Sequence, residues 1–269
     1  MADVPLILVL KMARDHARWQ QIACALRRLD LPFQRVPGID ARRHWRLVHA
    51  RIPRPYVAQV QGRPLAPGEC YAALTHLAAR RRVVRTKAPW GIVLEDDAAF
   101  SPGFKVFVTD VLPLFLRHCD IVKFEGLQAP YTSLTGPCVA SHPMAKLIVP
   151  LHPTLGLAAY AVTQHGARRL CHELAAVSDP NDPLVNYYER HWIAYGETRP
   201  RLAWQGGFAS NVLPDLQTIP DVRTIPLPLK LRLQHHWLTR GLIRVGLATW
   251  WVGRARLRRR HPPQRRRFL

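Results

Sequence analysis

The sequence predicts an α/β fold, and two observations carry that prediction. Short apolar runs alternate with amphipathic helical patterns over most of the chain, which is the order expected of strands and helices that share one sheet. The 269 residues, 48% of them hydrophobic, are also numerous enough to bury one large core or two small lobes that share a cleft. We therefore expect most of the chain to fold. The sequence shows no internal repeat.

The first part of the chain reads as strand, helix and strand. VPLILVL predicts a buried first strand, Asp15 to Arg28 is amphipathic, and LPFQRVPGID supplies a second strand. Asp3 stands where a signal peptide would carry positive charge, and the apolar run of about seven residues is too short for a membrane span. Residues 41–68 are polar and rich in proline, which predicts an excursion over the surface.

The middle of the chain continues the alternation. A Pro-Gly turn introduces a helix over ECYAALTHLAARRRVVR, on which Glu69 and His76 lie seven residues apart and so share a face. The strand WGIVL follows. A helix over 104–115, a strand at CDIVKFEG, a loop-rich segment up to His152, a strand GLAAYAVT and a helix HGARRLCHELAAV complete the pattern.

Three consecutive carboxylates, EDD, follow WGIVL directly. In an open α/β sheet, ligands bind at the carboxyl ends of strands, and this triplet occupies that position. Glu95 and Asp97, at alternate positions, can face the same side, where their oxygens suit Mg²⁺ or Mn²⁺. Such ions commonly bridge a nucleotide diphosphate, so the triplet indicates a sugar-nucleotide transferase. The alternative is a solvated acidic loop.

Several function classes gain no support. G-x-G-x-x-G, G-x-x-x-x-G-K-[ST], G-x-S-x-G and H-E-x-x-H do not occur, so neither a dinucleotide oxidoreductase, a P-loop NTPase, a serine hydrolase nor a zinc protease is indicated. The five cysteines are widely spaced without a C-x-x-C pair, which favours a reducing compartment over a disulfide framework.

The positive charge is concentrated in the tail. The net charge is +21, and residues 222–269 contain thirteen Lys or Arg and no Asp or Glu. If the tail is helical, its apolar and basic residues lie on opposite faces. The apolar face has Leu231, Leu238, Leu242 and Val245, and the basic face has Arg232, His236, Arg240 and Arg244. With three tryptophans added, the pattern predicts an interfacial helix on an anionic membrane surface. An ordinary packed helix is one alternative. A nucleic-acid-binding arm is another, but the body lacks interleaved aromatic and basic residues, so no nucleic acid is expected.

Five motifs occur in order along the chain: GECYAALTH, WGIVLEDDAAF, DIVKFEG, GLAAYAVTQHGARRL and PND. This ordered set resembles glycosyltransferase family 25, which contains the lipooligosaccharide and lipopolysaccharide galactosyltransferases of Gram-negative bacteria. The similarity spans about Pro5 to Gln205. It implies a single nucleotide-binding, Rossmann-like domain of the GT-A type over 1–221, with the basic tail at 222–269.

The resemblance implies an inverting, metal-dependent hexosyltransferase. Its donor would be a nucleotide sugar, UDP-galactose first, and its acceptor a lipopolysaccharide, lipooligosaccharide or other glycan or glycolipid. The enzyme would work in the cytoplasm, peripherally on the inner face of the inner membrane. Glu95 and Asp97 would bind the Mn²⁺ or Mg²⁺ ion and the diphosphate, and Asp96 would contact the ribose or the donor sugar.

The remaining roles follow from the same resemblance. The donor site would also be lined by Glu69, Thr75 and His76 of the GECYAALTH helix, where Glu69 and His76 share a face and Thr75 is adjacent. A structural histidine in the core or at the surface is the alternative for His76. Lys123 would stabilise the leaving diphosphate, and a solvated lysine at a strand edge is the alternative. The base that deprotonates the acceptor hydroxyl would be Asp182 or, second, Glu125. Helix capping is the alternative for Asp182.

The chain departs from the family pattern at two places. Leu8-Val9-Leu10 stands where the family has I-N-L, and Ala72 and Thr75 stand where the G-E motif has Cys and Ser. An inactive, transferase-like scaffold is the alternative that these departures raise, and the intact EDD triplet argues against it.

Overall fold

The computed structural model describes residues 5–39, 67–125, 136–150, 156–173 and 193–208, together with positions 242, 243, 245, 246 and 249 of a helical segment near the C-terminus. The strands in these ranges are β1 Leu6–Lys11, β2 Gln34–Pro37, β3 Trp90–Leu94, β4 Ala98–Phe100, β5 Ile121–Lys123, β6 Cys138–His142, β7 Ala145–Ile148, β8 Ala159–Thr163, β9 Tyr195–Arg199 and β10 Ala203–Gln205. The helices are α1 His16–Arg28, α2 Pro67–Arg85, α3, which joins Phe104–Val106, a π-helical turn Phe107–Val111 and Leu112–Phe115, and α4 Gln164–Glu173.

Eight of the described strands form one mixed sheet in the order β2-β1-β3-β8-β5-β9-β7-β6. Strands β7 and β8 run opposite to the other six. A second, two-stranded antiparallel sheet pairs β4 with β10. Because β1, β3 and β5 run in the same direction, they end at the same edge of the sheet, and the residues that follow them are brought together there.

The central strands are apolar because the sheet is covered on both faces. Val9 of β1 is opposite Leu94 of β3, and neither side chain has any exposed surface. On one face, α2 packs against α4 and contacts β1, β2 and β3. On the other, Phe104 and Phe107 of α3 contact the ring of Phe124, which follows β5.

Most of the predicted elements are confirmed. Helix α1 buries Ile22, Ala23 and Leu26, which are spaced one turn apart or less, as expected of an amphipathic helix. Helix α2 begins at the predicted Pro-Gly turn and β3 coincides with WGIVL. Of the described residues, none belongs to a helix that is both long and apolar enough to cross a membrane.

One expectation and one of the alternatives were wrong. The segment predicted to be loop-rich up to His152 contains the hairpin β6–β7, whose strands carry exposed polar residues and so lack a strong apolar signal. Lys123 is not at a strand edge that water reaches. It lies on β5 in the interior of the sheet and is fully buried, with β8 on one side and β9 on the other.

Candidate functional site

The acidic triplet forms the turn that joins β3 to β4, at the carboxyl edge of the main sheet. The Glu95 amide donates to the carbonyl of Ala158 at 2.8 Å, and the Ala98 amide donates back to the Glu95 carbonyl at 3.1 Å. The carbonyl of Asp97 accepts a hydrogen bond of 2.6 Å from the amide of Gly206, which follows β10. The backbone of the triplet is thus fixed by both sheets, as a preorganised site requires.

Helix α1 supplies a cation to the triplet. One guanidinium nitrogen of Arg18 lies 3.4 Å from Oδ1 of Asp96 and 3.3 Å from Oδ2 of Asp97. All three side chains are largely buried, and the guanidinium also lies over the ring of Phe208 at 5.3 Å. Arg18 could not be predicted as a site residue, because nothing in the local pattern distinguishes it from Arg27 and Arg28 on the same helix.

Arg18 does not neutralise the triplet. Burial raises the pKa of Asp96 to about 6, with a smaller upward contribution from Asp97 that opposes the lowering by Arg18. Burial and the neighbouring Glu95 likewise raise the pKa of Asp97 to about 6, again against Arg18. These raised pKa values mean that the ionised forms of both carboxylates are destabilised by their surroundings. A further cation bound nearby would stabilise the ionised forms.

The residues present fit a divalent cation. Oδ2 of Asp96 and Oδ1 of Asp97 are buried and have no hydrogen-bond partner among the described residues, and carboxylate oxygens are the preferred ligands of Mg²⁺ and Mn²⁺. Within the described ranges, no three His, Cys, Asp or Glu side chains lie close enough together to hold a metal by themselves. In proteins, Mg²⁺ is often held by one or two carboxylates and takes its other ligands from phosphate and water.

Glu95 is connected to a buried hydrogen-bonded network. Its Oε1 lies 3.1 Å from Nε2 of His76, and Nδ1 of the same ring lies 3.2 Å from the hydroxyl of Tyr160 on β8. Nε of Arg80, one turn further along α2, donates to that hydroxyl at 3.1 Å. His76, Arg80 and Tyr160 are at most 1% exposed, so the network lies beneath the triplet rather than at the surface.

Two residues predicted to line the donor site make other contacts. Thr75 donates from Oγ1 to the Tyr71 carbonyl at 2.8 Å and accepts from the Ile39 amide at 3.1 Å, which ties α2 to the segment after β2. His76 has both ring nitrogens engaged within the protein. Glu69 is half-buried in the first turn of α2. The direct donor contacts of Glu69, Thr75 and His76 stay predictions.

The second carboxylate candidate, Glu125, follows β5 at the same edge as the triplet. It is buried, and Gly156 packs against it: a β-carbon at Gly156 would overlap the Glu125 carboxylate, and the φ of +91° there is one that glycine adopts readily. Strand β8 separates β3 from β5, so Glu95 and Glu125 lie roughly 10 Å apart across two strand spacings. Asp182 lies outside the described residues.

Sequence reasoning missed Arg80 and Tyr160 as well as Arg18. Tyr160 was part of a recognised motif, and Arg80 lies four residues after His76 on the same helix face, so both carried a signal. The contact between them could not be foreseen, since 80 residues separate them along the chain.

A comparison with models of known protein families identifies the family. The sequence model of glycosyltransferase family 25 (LPS biosynthesis protein) matches residues 5–185. No protein with a curated description matches the sequence. Solved structures that resemble the fold include one described as a glucose-1-phosphate thymidylyltransferase from Bacillus anthracis, in complex with a sucrose, at 10% identity and a TM-score of 0.40, with 79% of this chain and 92% of that chain covered. Another is mouse xyloside xylosyltransferase 1, at 13% identity and a TM-score of 0.33, with 71% of this chain and 77% of that chain covered. Since the family match takes in well over half of the sequence, including the acidic triplet, the chain belongs to glycosyltransferase family 25 and is a glycosyltransferase, which implies a nucleotide-sugar donor and a glycan acceptor.

Proposed function

We propose that the protein is an inverting, metal-dependent hexosyltransferase that transfers galactose from UDP-galactose to a lipopolysaccharide, a lipooligosaccharide or another glycan. The observation that carries the proposal is the buried acidic turn after β3, where Oδ2 of Asp96 and Oδ1 of Asp97 have no hydrogen-bond partner among the described residues although Arg18 contacts both side chains. Burial also raises the pKa of both carboxyl groups. That arrangement favours a divalent cation and the diphosphate it accompanies. The strands β1, β2 and β3, parallel and ending beside this turn, support the GT-A assignment.

The acidic turn would hold the donor. Glu95 and Asp97 would provide carboxylate oxygens for Mn²⁺ or Mg²⁺, and Asp96 would accept a hydrogen bond from the ribose or the donor sugar. The ion, when bound, would neutralise charge on the departing diphosphate. Lys123 is assigned to the same leaving group. Because it is buried on β5, its attraction to a phosphate oxygen would be stronger than the same interaction in water.

The acceptor requires a base. In an inverting transfer, the carboxylate removes the proton of the attacking hydroxyl while the nucleoside diphosphate leaves from the opposite face of the sugar. Asp182 is our first candidate and Glu125 the second. The position of Glu125 supports its candidacy, since it lies at the same sheet edge as the triplet but about two strands away, which leaves room for a sugar between the two carboxylates.

The C-terminal segment would hold the enzyme on the cytoplasmic face of the inner membrane. Leu242, Ile243 and Val245 belong to a helical segment, and they are 76%, 47% and 50% exposed. Exposed apolar side chains in a segment this rich in arginine are typical of an interfacial helix on anionic lipid. Deletion of 222–269 should abolish co-sedimentation with anionic vesicles, and unchanged binding of the truncated chain would contradict the assignment.

The experiment that tests the enzymatic proposal is a screen of nucleotide sugars in the presence of Mn²⁺, with hydrolysis or transfer and thermal stabilisation as readouts. We expect UDP-galactose to give both signals, EDTA to remove both, and Asp97→Asn to lower turnover by about a hundredfold or more. The matched control is Asp110→Asn, which changes an exposed aspartate of α3. Stabilisation by a nucleotide that persists in EDTA and in Asp97→Asn would contradict the metal-dependent mechanism.

A further inference from the structure

The network beneath Glu95 contains four groups whose hydrogen bonds can follow one continuous direction. Nε of Arg80 can only donate, so the hydroxyl oxygen of Tyr160 accepts from it. Tyr160 can then direct its own hydrogen to Nδ1 of His76, 3.2 Å away. With Nδ1 acting as acceptor, the ring hydrogen of neutral His76 resides on Nε2 and points at Oε1 of Glu95.

We propose that Tyr160 and Arg80 are positioning residues for Glu95 and act through His76. They hold the imidazole in the Nε2–H form and thereby hold the Glu95 carboxylate in one orientation at the end of β3. The proposal rests on the function proposed above, in which Glu95 belongs to the donor site. It assigns a role to two residues that cannot touch the donor, since neither has more than a trace of exposed surface.

Packing makes the network a rigid support. The rings of His76 and Tyr160 stack with their centroids 5.7 Å apart, and the Arg80 guanidinium lies 5.6 Å from the Tyr160 ring centroid. His76 and Arg80 both come from α2, while Tyr160 is on β8 and Glu95 directly follows the adjacent strand β3. The four groups therefore connect the helix layer to the sheet directly below the acidic turn. Loss of an outer partner of this kind typically lowers metal affinity or activity 10- to 100-fold.

The test is Tyr160→Phe, which removes one oxygen and keeps the ring. Its matched control is Tyr195→Phe, because Tyr195 is also fully buried in the main sheet and its hydroxyl donates to Oε1 of Glu197 at 2.9 Å, on β9 rather than beside the triplet. The first readout is the affinity for Mn²⁺ in the presence of UDP, measured by calorimetric titration. We expect a loss of 10-fold or more in Tyr160→Phe and less than a 3-fold change in Tyr195→Phe.

The second readout does not involve the metal. Nitrogen NMR of ¹⁵N-histidine-labelled protein, with the His76 signals identified by their absence in His76→Gln, reports which ring nitrogen carries the hydrogen. We expect the Nε2–H form in the wild type and a mixture of both forms in Tyr160→Phe. Arg80→Lys keeps the positive charge but not the Nε–H group, and should lie between wild type and Tyr160→Phe in both readouts.

The outcomes separate this inference from the proposed function. Equal Mn²⁺ affinities in the two Tyr→Phe variants, or a wild-type His76 in the Nδ1–H form, would overturn the positioning role. If the wild type binds no Mn²⁺ even with UDP, the metal-dependent function fails instead. The positioning role is then tested by NMR alone. A His76 tautomer that is the same in the wild type and in Tyr160→Phe overturns the positioning role, and a tautomer that differs between them supports it.

Discussion

Replacing Asp97 with Asn should stabilise the ligand-free protein at neutral pH, although it removes a residue of the proposed site. Burial and the charge of Glu95 raise the pKa of Asp97 from 3.8 to about 6, and this value already includes the opposing contribution of Arg18. A difference of about two pKa units between the folded and unfolded states corresponds to about 3 kcal/mol. The ionised carboxylate therefore lowers stability, and the uncharged amide of Asn, which is close in size, avoids that cost.

The effect has a definite dependence on pH. Because the folded state holds the proton more tightly than the unfolded state, the wild type loses stability as the pH rises from about 4 to about 6, and the loss is complete above that interval. Asn does not titrate. The free energy of unfolding of Asp97→Asn minus that of the wild type should thus be small near pH 4 and about 2 to 3 kcal/mol at pH 8. For a domain of this size, this is a melting temperature higher by roughly 4 to 12 °C.

The assay is thermal and urea unfolding in EDTA at several values between pH 4 and pH 8, with wild type, Asp97→Asn and the exposed control Asp110→Asn measured side by side. The control should show no comparable dependence on pH. A lower melting temperature for Asp97→Asn at pH 8, or a difference from the wild type that does not change with pH, would refute the conclusion that the acidic turn carries uncompensated charge.

Three further predictions concern other parts of the site. Gly156→Ala should lower stability by about 1 to 3 kcal/mol in urea unfolding and reduce turnover, because a β-carbon meets the Glu125 carboxylate at a positive φ; unchanged stability and turnover would contradict this. Thr75→Val should lower the free energy of unfolding by about 1 to 2 kcal/mol, and Thr75→Ser should not, because only the hydroxyl is needed for the two hydrogen bonds with main-chain groups. Weaker UDP binding by Thr75→Val at unchanged stability would instead place Thr75 in the donor site. Asp182→Asn should abolish transfer and leave Mn²⁺-dependent UDP binding intact in calorimetry, and a loss of that binding would assign Asp182 to the donor site.

The parts of the fold that the sequence predicted are those that local pattern determines. Strands β1 and β3 are buried on both faces and therefore appear as continuous apolar runs. The Pro-Gly turn gives the start of α2, and the position of the triplet follows from where the apolar run WGIVL stops. In contrast, β9 reads YGETR, and it is a strand because β5 and β7 pair with it on both sides and not because its residues favour one.

The site was predicted in part for the same reason. Glu95, Asp96 and Asp97 are adjacent in sequence, so a motif could reveal them. Their partners are distant along the chain, with Arg18 separated from Asp97 by 79 residues and His76 from Tyr160 by 84. The strand order, with β8 inserted next to β3, brings Tyr160 close to Glu95 and His76, and the packing of α1 brings Arg18 to Asp97. A single sequence contains no local pattern that specifies such contacts.

Arg18 bears on how the site would bind its two charged ligands. The guanidinium contacts Oδ1 of Asp96 and Oδ2 of Asp97, so a metal ion that binds Asp97 without a nucleotide meets a like charge a few ångströms away. When a diphosphate binds together with the ion, the charge of Arg18 becomes favourable, because Arg18 can donate to phosphate oxygens while the carboxylates bind the ion.

We therefore expect Arg18→Gln to leave the affinity for Mn²⁺ alone unchanged or slightly increased and to weaken the binding of UDP with Mn²⁺ by about 10-fold or more, which is the loss expected for one charged hydrogen-bond donor. Arg28→Gln, an exposed change of the same kind on the same helix, should alter neither affinity. Calorimetric titrations with Mn²⁺, and with UDP at saturating Mn²⁺, measure the two affinities separately. Equal weakening of both by Arg18→Gln would mean that Arg18 merely holds the turn in place, whereas selective loss of UDP binding would make it the residue that couples the nucleotide to the acidic turn.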